Sequence, residues 1–404
     1  MSRVDPLVLA DALVADRGLD LREPFDADTL AVCTGPDGGR HALTRLYHHR
    51  DVPNPKGLQG TGTHLVTRYA PDGTPLAQAA FGTLPAATAL WSGIPQAAMS
   101  VLPDGRLLVA GKGYAGHIGE LYLLDPALAS ARLLAPDGIF HARPTPSGRL
   151  LCLVEESGVA ITRTPMGGDG ALPPLDPVTV LPPKLTFPYQ RRAAPAFPPG
   201  EDGARPTELR ALMEAAPGLE GEAYWLEWLW DAVPVDDDLY AVVAVGDKRR
   251  CGRRGAFFAF VLVDGEGALR GHLDLDYFRA NPGRGHRYDL AVDRRHRRIV
   301  HLNTTGMYLF DRDGARLAAL PTAEKEYKPL AHFRLHECDA SGDLLLVHEK
   351  QNLLLTVPLP DDPDDLPVAA ADALAAFRRG RTRLKKVHGP ENYRWTADVP
   401  LTLL

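Results

Sequence analysis

No stretch of this chain approaches the run of roughly 18 apolar residues that crosses a membrane as a helix, so neither a span nor a membrane partner is expected. Cysteine is scarce. Cys33, Cys152, Cys251 and Cys338 are four in 404 residues, and no two form a CxxC pair. Three of them sit inside apolar runs, which reads as reduced core thiols and a cytoplasmic location. The first twenty residues mix acids with short apolar pieces, so no secretory signal is expected. Charge of one sign is also lacking. The net charge is −6, which argues against nucleic acid as the partner of a generally basic surface. Motifs of nucleophilic and phosphate-handling enzymes are missing too: there is no Gly-x-Ser-x-Gly, no Walker A loop and no strand-linked Gly-x-Gly-x-x-Gly. Residues 57–62 contain glycines but follow a polar loop and lead into no helix pattern. These absences lean away from an enzyme and from a bound cofactor.

What the chain does have is apolar material, 45% against 24% charged, enough for a large core. It also has a recurring phrase, a polar turn followed by an aliphatic run. The phrase reads Pro103-Asp104-Gly105-Arg106-Leu107-Leu108-Val109, then Pro146-Ser147-Gly148-Arg149-Leu150-Leu151-Cys152, then Ala340-Ser341-Gly342-Asp343-Leu344-Leu345-Leu346. Looser copies begin at Asp236 and Arg295. Leu107 to Leu150 is 43 residues and Ile299 to Leu344 is 45, the period of a four-stranded propeller blade. An earlier copy is read with Leu30-Ala31-Val32-Cys33 as its first arm and the strand from His64 to Tyr69 as its second. The pattern predicts a single all-β propeller over 1–364, with six blades or, as the alternative, seven. The extra length between Leu150 and Leu239 is read as a Pro-rich and helical insertion near 165–222, with a helix over 207–216 capped by Thr207. A second helix is expected over 369–379, with Ala370, Leu374, Ala375 and Phe377 as its apolar face. Within this C-terminal piece, 365–404, residues 399–404 are expected to form a closing strand against an N-terminal blade.

Metal-like residue types cluster in His332-Phe333-Arg334-Leu335-His336-Glu337-Cys338, with His348 one hairpin later. Regular strand alternation would put His332, Arg334, His336 and Cys338 on one face. His332 and His336 are therefore the candidate metal ligands, although Arg334 between them would oppose a cation. Asp311-Arg312-Asp313-Gly314 matches a hairpin turn with Gly at the positive-φ position, and not a calcium loop. Strand alternation through 224–230 separates Trp228 and Trp230 from Trp225, and packing between blades is the expected role. Two basic runs stand out, 248–254 in a blade hairpin loop and 378–386 after the last helix.

The period and hairpin layout resemble bacterial β-propellers of the WD-repeat and NHL-like kind, over roughly residues 28–358. The Gly-His…Trp-Asp signature of WD repeats is missing. Propellers of this kind found beside MoxR-type ATPases and von Willebrand A proteins look like interaction modules. The missing catalytic motifs and the long, charged hairpin loops point the same way, to a non-catalytic scaffold that binds another protein through one face. The alternative is a metal-dependent hydrolase or lyase with its site in the central channel, using some of His332, His336, His286 and Glu337. For the scaffold, the partner surface is expected on the loops 247–254 and 47–62. Arg249, Arg250, Arg253 and Arg254 would form a basic rim, joined by His48, His49 and Arg50, for a partner with an anionic surface.

Overall fold

Aliphatic runs bounded by Asp, Gly and Pro fold here into four-stranded sheets. The computed structural model describes residues 25–48, 63–71, 75–81, 96–112, 121–135, 138–154, 158–180, 225–247, 256–275, 289–348, 353–392 and 402–403. Among these residues there are six such sheets, the blades of a β-propeller. Blade one is β1 (Phe25–Thr34), β2 (Arg40–His48), β3 (Thr63–Tyr69) and β4 (Pro75–Phe81). Blade two is β5 (Gln96–Val101), β6 (Leu107–Lys112), β7 (Leu121–Leu124) and β8 (Ala131–Ala135). Blade three is β9 (Ile139–Pro144), β10 (Leu150–Val154), β11 (Gly158–Thr162) and β12 (Leu175–Val180). Blade four is β13 (Trp225–Pro234), β14 (Leu239–Asp247), β15 (Ala256–Asp264) and β16 (Leu269–His272). Blade five is β17 (Asp289–Asp293), β18 (Arg298–Leu302), β19 (Gly306–Phe310) and β20 (Arg316–Pro321). Blade six is β21 (Phe333–Cys338), β22 (Asp343–His348), β23 (Leu353–Pro358) and the short β24 (Thr402–Leu403). The six-blade reading of the repeat therefore holds, and one α-helix, α1 (Leu366–Asn392), follows β23.

The recurring phrase is the turn into the second strand of each blade. That strand lies between two neighbours and packs on both faces, so its residues need not alternate: Leu107, Leu108, Val109 and Ala110 are all buried, as are Leu344 to Val347. Asp residues shape the turns. Asp339 Oδ1 accepts the backbone N–H groups of Ser341 and Asp343, both at 2.9 Å. Asp311 Oδ1 accepts those of Asp313 at 2.9 Å and Ala315 at 2.8 Å. Gly314 has φ +93°, as its place in the sequence implied, and a Cβ there would collide with the carbonyl oxygen of His272.

The structure departs from the sequence reading at four places. Leu30 to Cys33 lie in the first strand of blade one, and its copy of the turn phrase is Pro36-Asp37-Gly38-Gly39, leading into β2. The stretch read as inserted, 165–222, contributes β12 to blade three; its expected helix over 207–216 lies outside the described residues. The closing strand pairs elsewhere than expected. Thr402 and Leu403 run parallel to Leu353 and Leu354 and complete blade six, where β23 otherwise has no second neighbour. Finally, α1 is longer than 369–379 at both ends. Asp362 accepts the N–H of Asp364 and, with Pro363 next to it, starts a 3-10 turn that runs into the helix at Leu366.

The chain forms two compact units. One comprises Met1–Ala142, His332–Pro358 and Val368–Leu404; the other comprises Arg143–Ala331 and Leu359–Pro367. In the first, Ala31, Cys33 and Leu43 of blade one meet Met99, Leu107, Val109 and Leu124 of blade two. On the other side of blade one, Val32, Ala42 and Tyr69 meet Leu345, Val347 and Leu354 of blade six. In the second unit, β13 packs against β10 and β11 of blade three and against β17 of blade five.

Candidate functional site

The two links expected to carry a partner surface join the same pair of strands within their own blades. Residues 49–62 connect β2 to β3 and residues 248–255 connect β14 to β15. His48 is the last residue of β2, its backbone paired with Phe25. His49, Arg50, Arg249, Arg250, Arg253 and Arg254 lie outside the described residues, and so does His286.

The histidine strand of blade six is fully described, and its geometry differs from regular alternation. His332 ends the 3-10 turn Lys328–His332 and is exposed. The ladder between β21 and β22 slips between Leu335 and Glu337, so His336 is the extra residue of a bulge. A bulge re-aims the residues after it. Cys338 therefore joins Phe333 and Leu335 among the buried side chains instead of sharing a face with Arg334 and His336. Glu337 is committed as well, since its Oε2 accepts the backbone N–H of Thr34 in β1 at 2.8 Å. Among the described residues, no three His, Cys, Asp or Glu side chains are grouped closely enough to hold a metal ion. Two slips in the β13–β14 ladder, between Leu226 and Trp228 and between Leu229 and Asp231, likewise break the alternation expected through Trp225, Trp228 and Trp230.

Other ionisable side chains at the turns tie blades together. Arg143 makes a two-pronged pair with Asp231, at 2.6 and 3.0 Å, joining β9 to β13. Asp237 accepts the backbone N–H of Ser147 at 2.8 Å, and Arg312 reaches Asp236 at 2.8 Å. Arg68 bonds both Asp37 and the carbonyl of Pro126 in blade two, and its hydrogen bond to Asp37 holds that carboxyl below the usual carboxylate range.

One arrangement was not anticipated from the sequence. The turn from β17 to β18 presents His296, whose Nδ1 is 2.7 Å from Asp293 Oδ2 and whose Nε2 is 3.2 Å from Asp361 Oδ1. Arg295 also reaches Asp361, at 2.6 Å, and Arg298 donates to the carbonyls of Pro360 and Asp361. An Asp-His pair can act as a general base when one ring nitrogen is left for a substrate proton. Here the second nitrogen faces another carboxylate, so the group straps the segment Leu359–Pro367 to blade five. The signal in the sequence was Asp293 followed within 294–298 by four arginines and a histidine, where blades one, two, three and six have a Gly turn.

The described thiols are equally withdrawn from chemistry. Cys33, Cys152 and Cys338 are buried and carry no disulfide. Burial, reinforced by the charge of Glu337, pushes Cys33 well above the ordinary thiol value, and burial alone takes Cys152 to about 12.

No protein-family model matches the chain, and no curated protein matches it. Among solved structures the chain is similar to the Neurospora crassa Pan2 WD40 domain, at 10% identity. That match covers 80% of this chain and 87% of that one, with a TM-score of 0.39. It is similar to the β-propeller domain of the Trilobed protease from Pyrococcus furiosus at 8% identity, over 83% and 82% of the two chains, with a TM-score of 0.39. Kuenenia stuttgartiensis hydrazine synthase matches at 11% identity over 83% and 96%, with a TM-score of 0.44. At these identities and scores the likeness carries no activity over, and the fold class rests on the six sheets themselves. No helix among the described residues is long and apolar enough to cross a membrane.

Proposed function

We propose that the protein is a non-catalytic scaffold of the cytoplasm that binds another protein through the 248–255 link of blade four. The feature that carries this reading is the unbroken positive charge of that link. Elsewhere several ionisable side chains are committed within the fold: Glu337 to the Thr34 amide, Arg143 to Asp231, Asp237 to the Ser147 amide and Arg312 to Asp236. The link contains Lys248, Arg249, Arg250, Arg253 and Arg254 with no acid among them. A basic loop on a rigid β frame suits a partner whose surface is anionic. His48, His49 and Arg50 bring similar chemistry to the link of blade one and form a second, separately testable contact.

The test replaces Arg249, Arg250, Arg253 and Arg254 with Glu in the full chain. Thermal unfolding is expected to stay unchanged, while proteins captured by the wild type from the source cell are lost and wild-type capture weakens as salt rises. Undiminished capture by the variant would refute the scaffold reading of this link. Stoichiometric zinc, manganese or calcium in the purified protein would instead favour a metal-dependent hydrolase or lyase.

A further inference from the structure

The helix α1 is anchored along one side and carries an ordered pattern of charge on the other. Ala370, Leu374 and Phe377 are buried, and Phe377 lies edge-on to Phe333 with ring centroids 5.0 Å apart. Half a turn around the helix run positions 368, 372, 375, 376, 379 and 383, successive ones falling within one stripe at 100° per residue. Val368 is 64% exposed, and Asp372, Ala376 and Arg379 are exposed as well. The helical backbone continues to Asn392, so position 383, an arginine, falls on the same stripe.

This stripe is self-complementary. Turn a second copy of the helix antiparallel about a two-fold axis between positions 375 and 376, and Asp372 of each copy meets Arg379 of the other. The two alanines, Ala375 and Ala376, meet at the axis, where small side chains let helices approach to about 8 Å. Neither Asp372 nor Arg379 has an opposite charge three or four residues away on its own helix, the positions where intrahelical pairs form. The helix dipole does not account for them either, since its effect fades within the first and last turns and both residues are farther in.

We propose that this outward stripe of α1 is the interface of an isologous dimer, a second copy of the same chain docking antiparallel through Asp372 and Arg379. A single helix pair is a small interface and its ion pairs are exposed, so the dimer is weak and sensitive to salt. Sedimentation of the full chain at about 50 mM salt should show a concentration-dependent dimer, and raising salt to about 500 mM should weaken it about tenfold or more. Asp372→Arg and Arg379→Asp should each be monomeric alone, because each creates like-charge contacts across the axis. Mixed together they should form a heterodimer, and the doubly swapped chain should dimerise like the wild type. Because the variants must fold in order to pair, recovery in the mixture separates lost docking from lost folding. A wild-type chain that stays monomeric up to about 200 µM would overturn the proposal. So would single variants that dimerise normally, or a mixture that remains monomeric.

Discussion

Arg297 takes φ 54° at the turn position that Gly105, Gly148 and Gly342 fill in other blades at φ 84°, 83° and 89°. A left-handed conformation costs an L-residue with a side chain roughly 1–2 kcal/mol. Glycine removes that strain but gives back part of the gain through a freer unfolded chain, about 0.4–1 kcal/mol. Arg297→Gly is therefore expected to raise the unfolding free energy by about 0.5–1 kcal/mol, read from the urea midpoint at unchanged slope. The opposite exchange is harsher. Gly314→Ala would set a methyl group against the His272 carbonyl at a positive φ, and a loss of roughly 2 kcal/mol is expected in the same measurement.

At the scale of elements, α1 docks onto blade six through aromatic contacts. Phe377 stands edge-on to Phe333 and stacks at 6.4 Å on His348, which in turn stacks on His332 at 5.9 Å. Truncating a buried phenylalanine costs about 3–5 kcal/mol, from lost apolar transfer and the cavity left behind. Phe377→Ala should thus loosen the helix, seen as faster tryptic cleavage in 378–386 together with a lower melting temperature. Cleavage and melting that match the wild type would show that the helix is held by other contacts. The same cluster explains what His332 and His348 do in blade six: they pack against rings. Bulges act at this scale too, since one extra residue at His336 sends Cys338 into the core and separates it from the histidines.

For the whole molecule, two buried histidines set how stability responds to acid. His41 is 2% exposed, and neither ring nitrogen meets a hydrogen-bond partner among the described residues. Burial, with the charge of Arg68 added, lowers its pKa from 6.5 to about 4. His301 is also lowered to about 4, mainly by burial, although its Nδ1 lies 3.1 Å from the Asp289 carbonyl and its Nε2 lies 3.0 Å from Asn303 Nδ2. Both rings are neutral when folded and accept a proton near pH 6.5 when unfolded. The stability they support is complete above pH 6.5 and drains away as pH falls towards 4, by roughly 3 kcal/mol for each histidine at full shift. His41→Phe loses no hydrogen bond and should flatten this acid limb while leaving stability at pH 7.5 unchanged or higher. Urea melts between pH 7.5 and about pH 4.5 would show it, and a limb as steep as the wild type would disprove it.

The blade period, the doubly buried second strands and the Asp- and Gly-shaped turns were legible in the residues because each is a local property. A turn is closed by its own Asp side chain, and a strand packed on both faces is apolar wherever its neighbours come from. The C-terminal helix was legible for the same reason, through the spacing of Ala370, Leu374 and Phe377, although Ala375, read onto the same face, lies on the outward one. What could not be read was decided by partners far along the chain. Leu30 to Cys33 look like a second strand, and only pairing with β2 makes them a first. Thr402 and Leu403 fit any open edge until β23 supplies one. Glu337 resembles a candidate base until the Thr34 amide, 303 residues away, takes its carboxylate. His296 resembles a spare turn residue until Asp361 closes over it. The chain alone determined most of the segments that become strands, because that follows from periodicity and turn chemistry; β12, inside the stretch read as inserted, is the exception. Tertiary structure decided which polar groups remain available for chemistry, because a buried donor or carboxylate must be paired and its partner is chosen by packing.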